Sequence, residues 1–132
     1  MILVTWNING IRSFQKKYDL KEFLGNYNID IMNLQETKLV EGWNIKKELQ
    51  LSEDWYIYEN TASSRKGYAG VASISKVNMT QMKIDFPNER FQMDGRMLLF
   101  QYQNYYIINI YFPQGGRTKK DIPYKLEVCD YI

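Results

Sequence analysis

Residues 1–10 read MILVTWNING, and the change of character inside this stretch decides the fold. The first six residues are apolar or favour β-structure without polar alternation, which is typical of a strand buried on both faces. The run stops at Asn7, Asn9 and Gly10, which are residues that favour turns and polar loops. We therefore predict a buried central strand over 1–6 that ends in a polar loop.

A helix and a second strand follow this strand. Residues 16–28 carry four apolar side chains at the i, i+3, i+4, i+7 spacing of one helix face, namely Leu20, Phe23, Leu24 and Tyr27. Residues 29–34 form a short apolar run that leads into Gln35 and Glu36. This pattern predicts a second buried strand, which again presents polar side chains where it ends.

The rest of the chain alternates short β-type runs with two further helices. A short helix is predicted at 44–51, and β-type runs occupy 55–58, 70–75, 79–85, 96–103 and 105–112. Their close spacing favours antiparallel hairpins. After the loop 113–120, a final helix would bury the face formed by Ile122, Leu126 and Cys129. The predicted fold class is α/β.

Composition excludes several kinds of chemistry. The 132 residues contain no histidine, which excludes His-based acid–base catalysis, Ser-His-Asp triads and His-ligated metals. The one cysteine, Cys129, excludes an intrachain disulfide, and we expect it to be a buried, inert thiol. The net charge of +2 leaves any nucleic-acid contact to local clusters of cations. The apolar start is too short for a signal peptide or a membrane span, so we expect a soluble, intracellular protein.

Hard oxygen donors follow both predicted strands. Glu36 ends the second strand, and Asn7 and Asn9 end the first. If the two strands are adjacent, these side chains meet and suit Mg²⁺, which prefers oxygen ligands. Alternatively, Asn7 and Asn9 form an ordinary Asx turn before Gly10, and Glu36 is merely solvated. The residues alone leave both interpretations open.

Two other segments suit phosphate or nucleic acid. Residues 111–117, YFPQGGR, place Tyr111 at a strand end before a glycine-rich turn and Arg117, a combination that suits anion binding. The alternative is a core tyrosine followed by a turn that uses glycine for positive φ. Residues 63–70, SSRKGYAG, combine two cations with Tyr68, which suits a loop along a nucleic-acid groove or a plain surface loop.

Six ordered motifs carry a family resemblance: WNINGIRS (6–13), LQETKL (34–39), KGYAGVAS (66–73), DGRMLLF (94–100), NIYFPQGG (109–116) and YKLE (124–127). Together they resemble the N-terminal half of exonuclease III and the related apurinic/apyrimidinic endonucleases, within the endonuclease/exonuclease/phosphatase superfamily. The resemblance covers essentially the whole chain. KGYAGV and DGR resemble the DNA-repair branch, with retrotransposon endonucleases as the nearest competitor.

The resemblance implies half of a four-layer α/β/β/α sandwich, with mainly antiparallel sheets and flanking helices. Residues 1–132 would be the N-terminal part of an endonuclease/exonuclease/phosphatase domain. The family's GDxN segment, a later aspartate and the terminal SDH motif have no counterpart here, so on this resemblance we expect the C-terminal half to be absent from the chain. Asn9 stands where some members have aspartate, and Gln114 stands where asparagine is usual.

The same resemblance implies roles for individual residues. Glu36 would bind Mg²⁺, with Mn²⁺ as an alternative ion, and Asn7 and Asn9 would support the metal directly or through water. Tyr111 would be the catalytic tyrosine at the phosphate. Residues implied to contact DNA are Arg12, Lys38, Gly67, Tyr68, Arg96, Gln114 and Arg117.

The implied function is a DNA-repair nuclease that hydrolyses phosphodiesters at abasic sites and 3′ ends of double-stranded DNA, in the cytoplasm of a prokaryote or the nucleus of a eukaryote. Because half of the site is missing, we expect this chain alone to be inactive. The alternative is a truncated, non-catalytic remnant that binds DNA or a partner. A second half-domain chain is a further expected partner, which would rebuild the sandwich.

Overall fold

The computed structural model describes all residues, 1–132. It contains seven strands and five helices, joined by loops and turns. The strands are β1 (Leu3–Asn7), β2 (Ile31–Gln35), β3 (Tyr56–Asn60), β4 (Val71–Ser75), β5 (Thr80–Met82), β6 (Met97–Tyr102) and β7 (Tyr105–Ile110). The helices are α1 (Ile11–Gln15), α2 (Leu20–Asn26), α3 (Ile45–Glu48), α4 (Glu89–Met93) and α5 (Ile122–Tyr131). None of these helices combines the length and the hydropathy that crossing a membrane requires.

The first sheet has the strand order β1-β2-β4-β3. β1 and β2 are parallel, whereas β4 pairs antiparallel with both β2 and β3. The second predicted strand is confirmed as fully buried, but the prediction that the first strand is buried on both faces is wrong. β1 is an edge strand whose residues alternate between exposed and half-buried, so that Val4 and Trp6 pack on the core while Leu3 stays 42% exposed.

The second sheet is an antiparallel meander, β5-β6-β7, which confirms the predicted hairpins. Its inner face packs on the first sheet, because one apolar cluster joins Ile31 and Val71 with Leu98, Phe100 and Ile107. A larger cluster of 13 buried residues lies between the first sheet and the helices α1–α3. The α/β class with mixed and antiparallel sheets and flanking helices is therefore confirmed.

The helix predictions needed two corrections. The first helix begins at Leu20 rather than at residue 16, because the Asp19 side chain accepts hydrogen bonds from two backbone N–H groups and caps α2. Tyr27 lies beyond the end of α2 and is 61% exposed. Sequence reasoning also missed two helices of only five residues each: α1, which follows Gly10, and α4, which begins after the capping side chain of Asn88.

The face predicted to be buried on α5 is also wrong. Tyr124 and Val128, one helical turn apart, face the core and pack with Phe86 and Phe91. The predicted residues Ile122 and Leu126 are 38% and 56% exposed, and Cys129 is an exposed thiol rather than a buried one. Helical periodicity allowed either face, and the aromatic pair Phe86–Phe91 selected the one that carries Tyr124.

Substituting two glycines, Gly95 and a control, tests how tightly the backbone packs beside β6. Gly95 has φ +61°, and a Cβ there would lie 2.7 Å from both Asn60 O and Thr61 C and 2.9 Å from Ala62 N, all backbone atoms. We expect Gly95→Ala to lower the free energy of unfolding by about 3 kcal/mol. Gly25, inside α2 and with nothing near its Cβ position, is the matched control.

Gly25→Ala should raise the free energy of unfolding by about 0.5–1 kcal/mol, because alanine favours the helix. Urea denaturation followed by circular dichroism measures both variants. Equal stabilities for Gly95→Ala and the unmodified chain would contradict the close backbone approach at Gly95.

Candidate active site

The carboxyl ends of β1 and β2 meet at one edge of the first sheet because these strands are parallel. Asn7 pairs with Gln35, so Glu36 is the next residue beyond the sheet. The loops are tied by backbone bonds, in which Ile8 N–H donates to the Gln35 carbonyl at 3.0 Å and Gly10 N–H to the Glu36 carbonyl at 2.7 Å. Asn7 and Glu36 therefore lie side by side, with Asn7 Nδ2 3.4 Å from Glu36 Oε1.

The backbone at Glu36 adopts an unusual conformation. Glu36 and Lys38 have φ of 52° and 50°, in the left-handed region that side-chain-bearing residues seldom occupy. The segment is held there by Thr37 N–H, which donates to the Gly70 carbonyl at 3.1 Å, and by Lys38 N–H, which donates to Ala69 at 2.9 Å. Gly70 permits this approach, since a Cβ there would lie 2.7 Å from Thr37 Oγ1.

Tyr111 reaches the same edge from the second sheet. It follows β7 directly, and its hydroxyl donates a hydrogen bond to Glu36 Oε1. Its backbone is fixed as well, because Tyr111 N–H donates to the Arg96 carbonyl at 2.8 Å. The predicted catalytic residue and the predicted metal ligand are thus brought into contact, although they lie 75 positions apart in sequence.

The ammonium of Lys38 contacts both Glu36, the predicted metal ligand, and Asn9, one of the residues predicted to support the metal. Lys38 Nζ lies 3.2 Å from Glu36 Oε2 and 2.5 Å from Asn9 Oδ1. The Glu36 side chain is 13% exposed and that of Lys38 is 37% exposed, so this ion pair is only partly screened by water. A protein cation therefore occupies the position between the carboxylate and the amide.

Protonation states follow from these contacts. Burial raises the pKa of Glu36, but the hydrogen bonds from Tyr111, Lys38 and Asn7 outweigh burial and hold that pKa below its usual range. The pKa of Tyr111 is raised well above its usual value by burial and by its bond to Glu36. At neutral pH the site thus holds an ionised carboxylate and a protonated phenol that can donate.

The residues present fit a magnesium ion only in a limited way. No group of three or more acidic, histidine or cysteine side chains is positioned to hold a metal. Asn7 Oδ1 accepts from Asn9 N–H at 3.2 Å, and Asn9 Oδ1 is engaged by Lys38, which leaves Glu36 as the direct protein donor. Mg²⁺ is commonly held by one or two carboxylates with waters and substrate phosphates, and Glu36 fits that description.

The residues predicted to contact DNA fall into different environments. Gln114 is exposed and lines a small cleft of about 170 Å³ together with Tyr68 and Tyr111. Arg12, on α1, and Arg117 are exposed and make no ion pair. Gly67 is half-buried with φ +65°. Lys38 lies at the carboxylate, as described above.

Arg96 differs from the other residues predicted to contact DNA in its burial. It is 3% exposed and pairs with Asp94 at 2.9 Å, although it also lines the cleft of about 170 Å³ beside Tyr68 and Tyr111. Sequence reasoning quoted the DGR motif but did not single out Asp94, the buried partner. No signal in the sequence marked this pair, because an acidic residue two positions before an arginine is ordinarily solvated.

Sequence reasoning also missed Asn109, which is 1% exposed inside β7. Its Nδ2 donates to the Ala72 carbonyl at 2.8 Å and the Leu34 carbonyl at 3.3 Å, and its Oδ1 accepts from Gln35 Nε2 at 2.7 Å. The signal was an amide within the apolar run 107–110. Buried amides of this kind are satisfied by fixed partners, and these partners belong to the other sheet.

The chain is similar to a known family over most of its length. The family model described as the endonuclease/exonuclease/phosphatase family matches residues 4–124. An exodeoxyribonuclease of Bacillus subtilis is 33% identical over 127 residues, which cover 96% of this chain and 48% of the relative. A DNA-(apurinic or apyrimidinic site) endonuclease of Dictyostelium discoideum is 28% identical, covering 98% of this chain and 35% of the relative.

Solved structures agree with this fold. The structure of an AP endonuclease from Archaeoglobus fulgidus superposes with a TM-score of 0.78 at 23% identity, covering 98% of this chain and 49% of that one. At that identity the likeness shows the fold. The chain spans half or less of the length of each of these three proteins.

Removing the phenol hydroxyl tests the contact between the sheets. In Tyr111→Phe the pKa of Glu36 should rise, because a hydrogen bond that favours the ionised carboxylate is lost. Ionised Glu36 stabilises the fold above its ordinary pKa of 4.5, and this stabilisation is lost as pH falls through the lower folded-state pKa. The variant should therefore lose less stability on acidification.

A ¹³C NMR titration of the Glu36 side-chain carboxyl measures this pKa directly. Tyr27→Phe, which alters a tyrosine that is 61% exposed and remote from Glu36, is the control and should leave the titration unchanged. An unaltered Glu36 titration in Tyr111→Phe would show that the phenol does not hold the carboxylate.

Proposed function

Because the chain belongs to the endonuclease/exonuclease/phosphatase family, we propose that it supplies the N-terminal half of a magnesium-dependent DNA-repair nuclease of the exonuclease III and AP endonuclease type. The proposed reaction is hydrolysis of phosphodiesters at abasic sites and at 3′ ends of duplex DNA. The names of two curated relatives, an exodeoxyribonuclease and an apurinic or apyrimidinic site endonuclease, support this choice of substrate.

The observation that carries the proposal is the contact between Tyr111 and Glu36. One comes from the second sheet and the other from the first, and both sheets must pack in register for the contact to form. A tyrosine whose only role was packing would not need its hydroxyl on a carboxylate that is also bonded by Lys38 and Asn7. Perturbed, mutually bonded polar groups at one sheet edge are typical of active sites.

The residues have separate tasks in this mechanism. When bound, Mg²⁺ supplies Lewis-acid neutralisation of charge at the scissile phosphate. Glu36, ionised at neutral pH, would hold that ion through its carboxylate. Tyr111 keeps its proton, and once its hydroxyl leaves Glu36 Oε1 it can donate a hydrogen bond to a phosphate oxygen. Lys38, released from Asn9 or Glu36, places an ammonium beside the same phosphate.

The DNA backbone would be held by exposed polar side chains around this edge. Arg12, Lys38, Gln114 and Arg117 are accessible in whole or in part and suit contacts to phosphate, which are sequence-independent. Each neutralised phosphate makes the slope of log K against log salt more negative by about 0.9. We therefore propose salt-sensitive binding that depends little on base sequence.

The second candidate is a non-catalytic role in binding DNA or a partner. It is favoured by apolar side chains that the two sheets leave exposed. Leu3 on β1 and Tyr106 and Ile108 on β7 are 42%, 64% and 49% exposed. A second half-domain chain that covers these strands would bury those side chains.

One experiment separates these proposals. The 132-residue chain is incubated with a labelled duplex that carries one abasic-site analogue, first with Mg²⁺ and then with EDTA, alone and with a second half-domain supplied as a fusion. Magnesium-dependent incision supports the nuclease. Salt-sensitive binding without incision in either format supports the second candidate.

Two substitutions test the assigned roles in the format that cleaves. We expect Glu36→Ala to lose magnesium-dependent incision and Tyr111→Phe to lower kcat by about 10²-fold. Each substitution removes a group that acts on the reacting phosphate. Glu41→Ala, in an exposed loop, and Tyr27→Phe are matched controls. Full activity of Glu36→Ala would overturn the metal assignment.

Metal binding without turnover gives a further test. Titrating the DNA-free protein with MnCl₂ in a calorimeter should show weaker binding in Glu36→Gln, which lacks the carboxylate charge. Lys38→Gln should bind Mn²⁺ roughly threefold to tenfold more tightly, because the ammonium 3.2 Å from Glu36 no longer competes. Weaker binding in Lys38→Gln would contradict the competition between the two cations.

A further inference from the structure

The buried ion pair between Asp94 and Arg96 lies directly behind the candidate site. Both side chains are 3% exposed, and Arg96 Nε donates to Asp94 Oδ2 at 2.9 Å. Taking two charges out of water is costly unless the remaining donors and acceptors are also satisfied. The contacts of this pair therefore show which parts of the protein it holds together.

The remaining guanidinium donors go to two tyrosines. Arg96 Nη2 donates to the Tyr68 hydroxyl at 2.9 Å, and Nη1 donates to the Tyr111 backbone carbonyl at 3.3 Å. The guanidinium also lies 4.7 Å from the centroid of the Tyr111 ring, a cation–π distance. With the backbone bond from Tyr111 N–H to the Arg96 carbonyl, Arg96 fixes both the main chain and the ring of Tyr111.

The carboxylate of Asp94 extends the same network to the loop 63–70. Ser64 Oγ donates to Asp94 Oδ1 at 2.7 Å, and Gly70 N–H donates to the Asp94 carbonyl at 3.3 Å. Tyr124, on α5, adds its hydroxyl to Oδ2 at 3.3 Å. The loop that carries Tyr68 is thus tied at both ends to the residue that pairs with Arg96.

We propose that Arg96 is a positioning residue that couples Tyr68, on the loop 63–70, to Tyr111 at the metal carboxylate, rather than a residue that contacts DNA. Only an arginine presents a planar fork that serves Asp94, Tyr68 and the Tyr111 carbonyl at once. The inference rests on the proposed function for its consequence: a loop that meets DNA and a phenol that meets phosphate keep a fixed separation.

The coupling is tested by NMR of the protein labelled with ¹³C at the tyrosine Cζ. Signals are assigned with Tyr68→Phe and Tyr111→Phe. In the unmodified background, Tyr68→Phe should shift the Tyr111 signal by more than its linewidth, because the guanidinium loses one partner. In the Arg96→Met background, the same substitution should leave the Tyr111 signal in place.

Arg96→Lys is measured beside Arg96→Met, since it keeps a cation for Asp94 and guards against a variant that does not fold. Lysine lacks the fork, so the Tyr68-dependent shift of Tyr111 should be lost in this variant as well. The coupling proposal is overturned if the shift persists in either variant, or if Tyr68→Phe never moves Tyr111 while Arg96 is present.

Salt dependence distinguishes positioning from direct contact. With a fluorescent abasic duplex in EDTA, Arg117→Met should make the negative slope of log K against log salt shallower by about 0.9, because one phosphate contact is lost. Arg96→Met should leave that slope unchanged. An equal reduction in both variants would show that Arg96 itself neutralises a phosphate.

The two proposals fail in different ways. If the unmodified protein binds no DNA in any format, the proposed function is wrong, and the NMR experiment still decides whether Arg96 couples the two tyrosines. If DNA binds but the Tyr111 signal is insensitive to Tyr68, the nuclease proposal stands without the coupling.

Discussion

The amide of Asn109 joins the two sheets, and the arrangement of the site depends on it. Its four bonds, to Ala72, Leu34, Ser73 and Gln35, cross from β7 to the first sheet and fix how far one sheet is displaced along the other. Side chains two residues apart on a strand share a face, so Tyr111 points the same way as Asn109. The bond from Gln35 to Asn109 therefore sets Tyr111, two residues beyond Asn109, opposite Glu36, one residue beyond Gln35.

This dependence explains why a site with so few charged groups can be well defined. Apolar packing between Val71, Leu98 and Phe100 is favourable but allows several displacements of one sheet along the other. A buried amide allows only the displacement in which its hydrogen bonds form, because in any other its polar atoms are buried without partners. The carboxylate of Glu36 then needs no second acid to hold its position, because Tyr111, Lys38 and Asn7 donate to it.

Much of the fold and of the site was predictable from sequence, and the errors have identifiable causes. The apolar run at 29–34 correctly predicted β2, because a strand buried on both faces carries apolar residues without polar alternation. The run at 1–6 looked the same, yet β1 is an edge strand, since strand order is a long-range property. The proximity of Asn7 and Glu36 could be predicted once the two strands were taken as parallel neighbours. The contact of Glu36 with Tyr111 could not, because it depends on how far one sheet is displaced along the other. Arg96 was identified as functional, while its burial depended on Asp94 and two tyrosines that only the fold brings close.

The conformation at Glu36 has a consequence for what this position tolerates. With φ of 52°, a glutamate here gives up about 1–2 kcal/mol relative to glycine, and the neighbouring Thr37 hydroxyl is buried without a partner, which is a second local loss. Aspartate or asparagine would accept the backbone more readily but would be one methylene too short to reach the phenol and the ammonium together. The glutamate at this position thus lowers the stability of the segment but is long enough to contact both the phenol and the ammonium. Selection for a more stable protein and selection for an intact carboxylate would favour different residues at this one position.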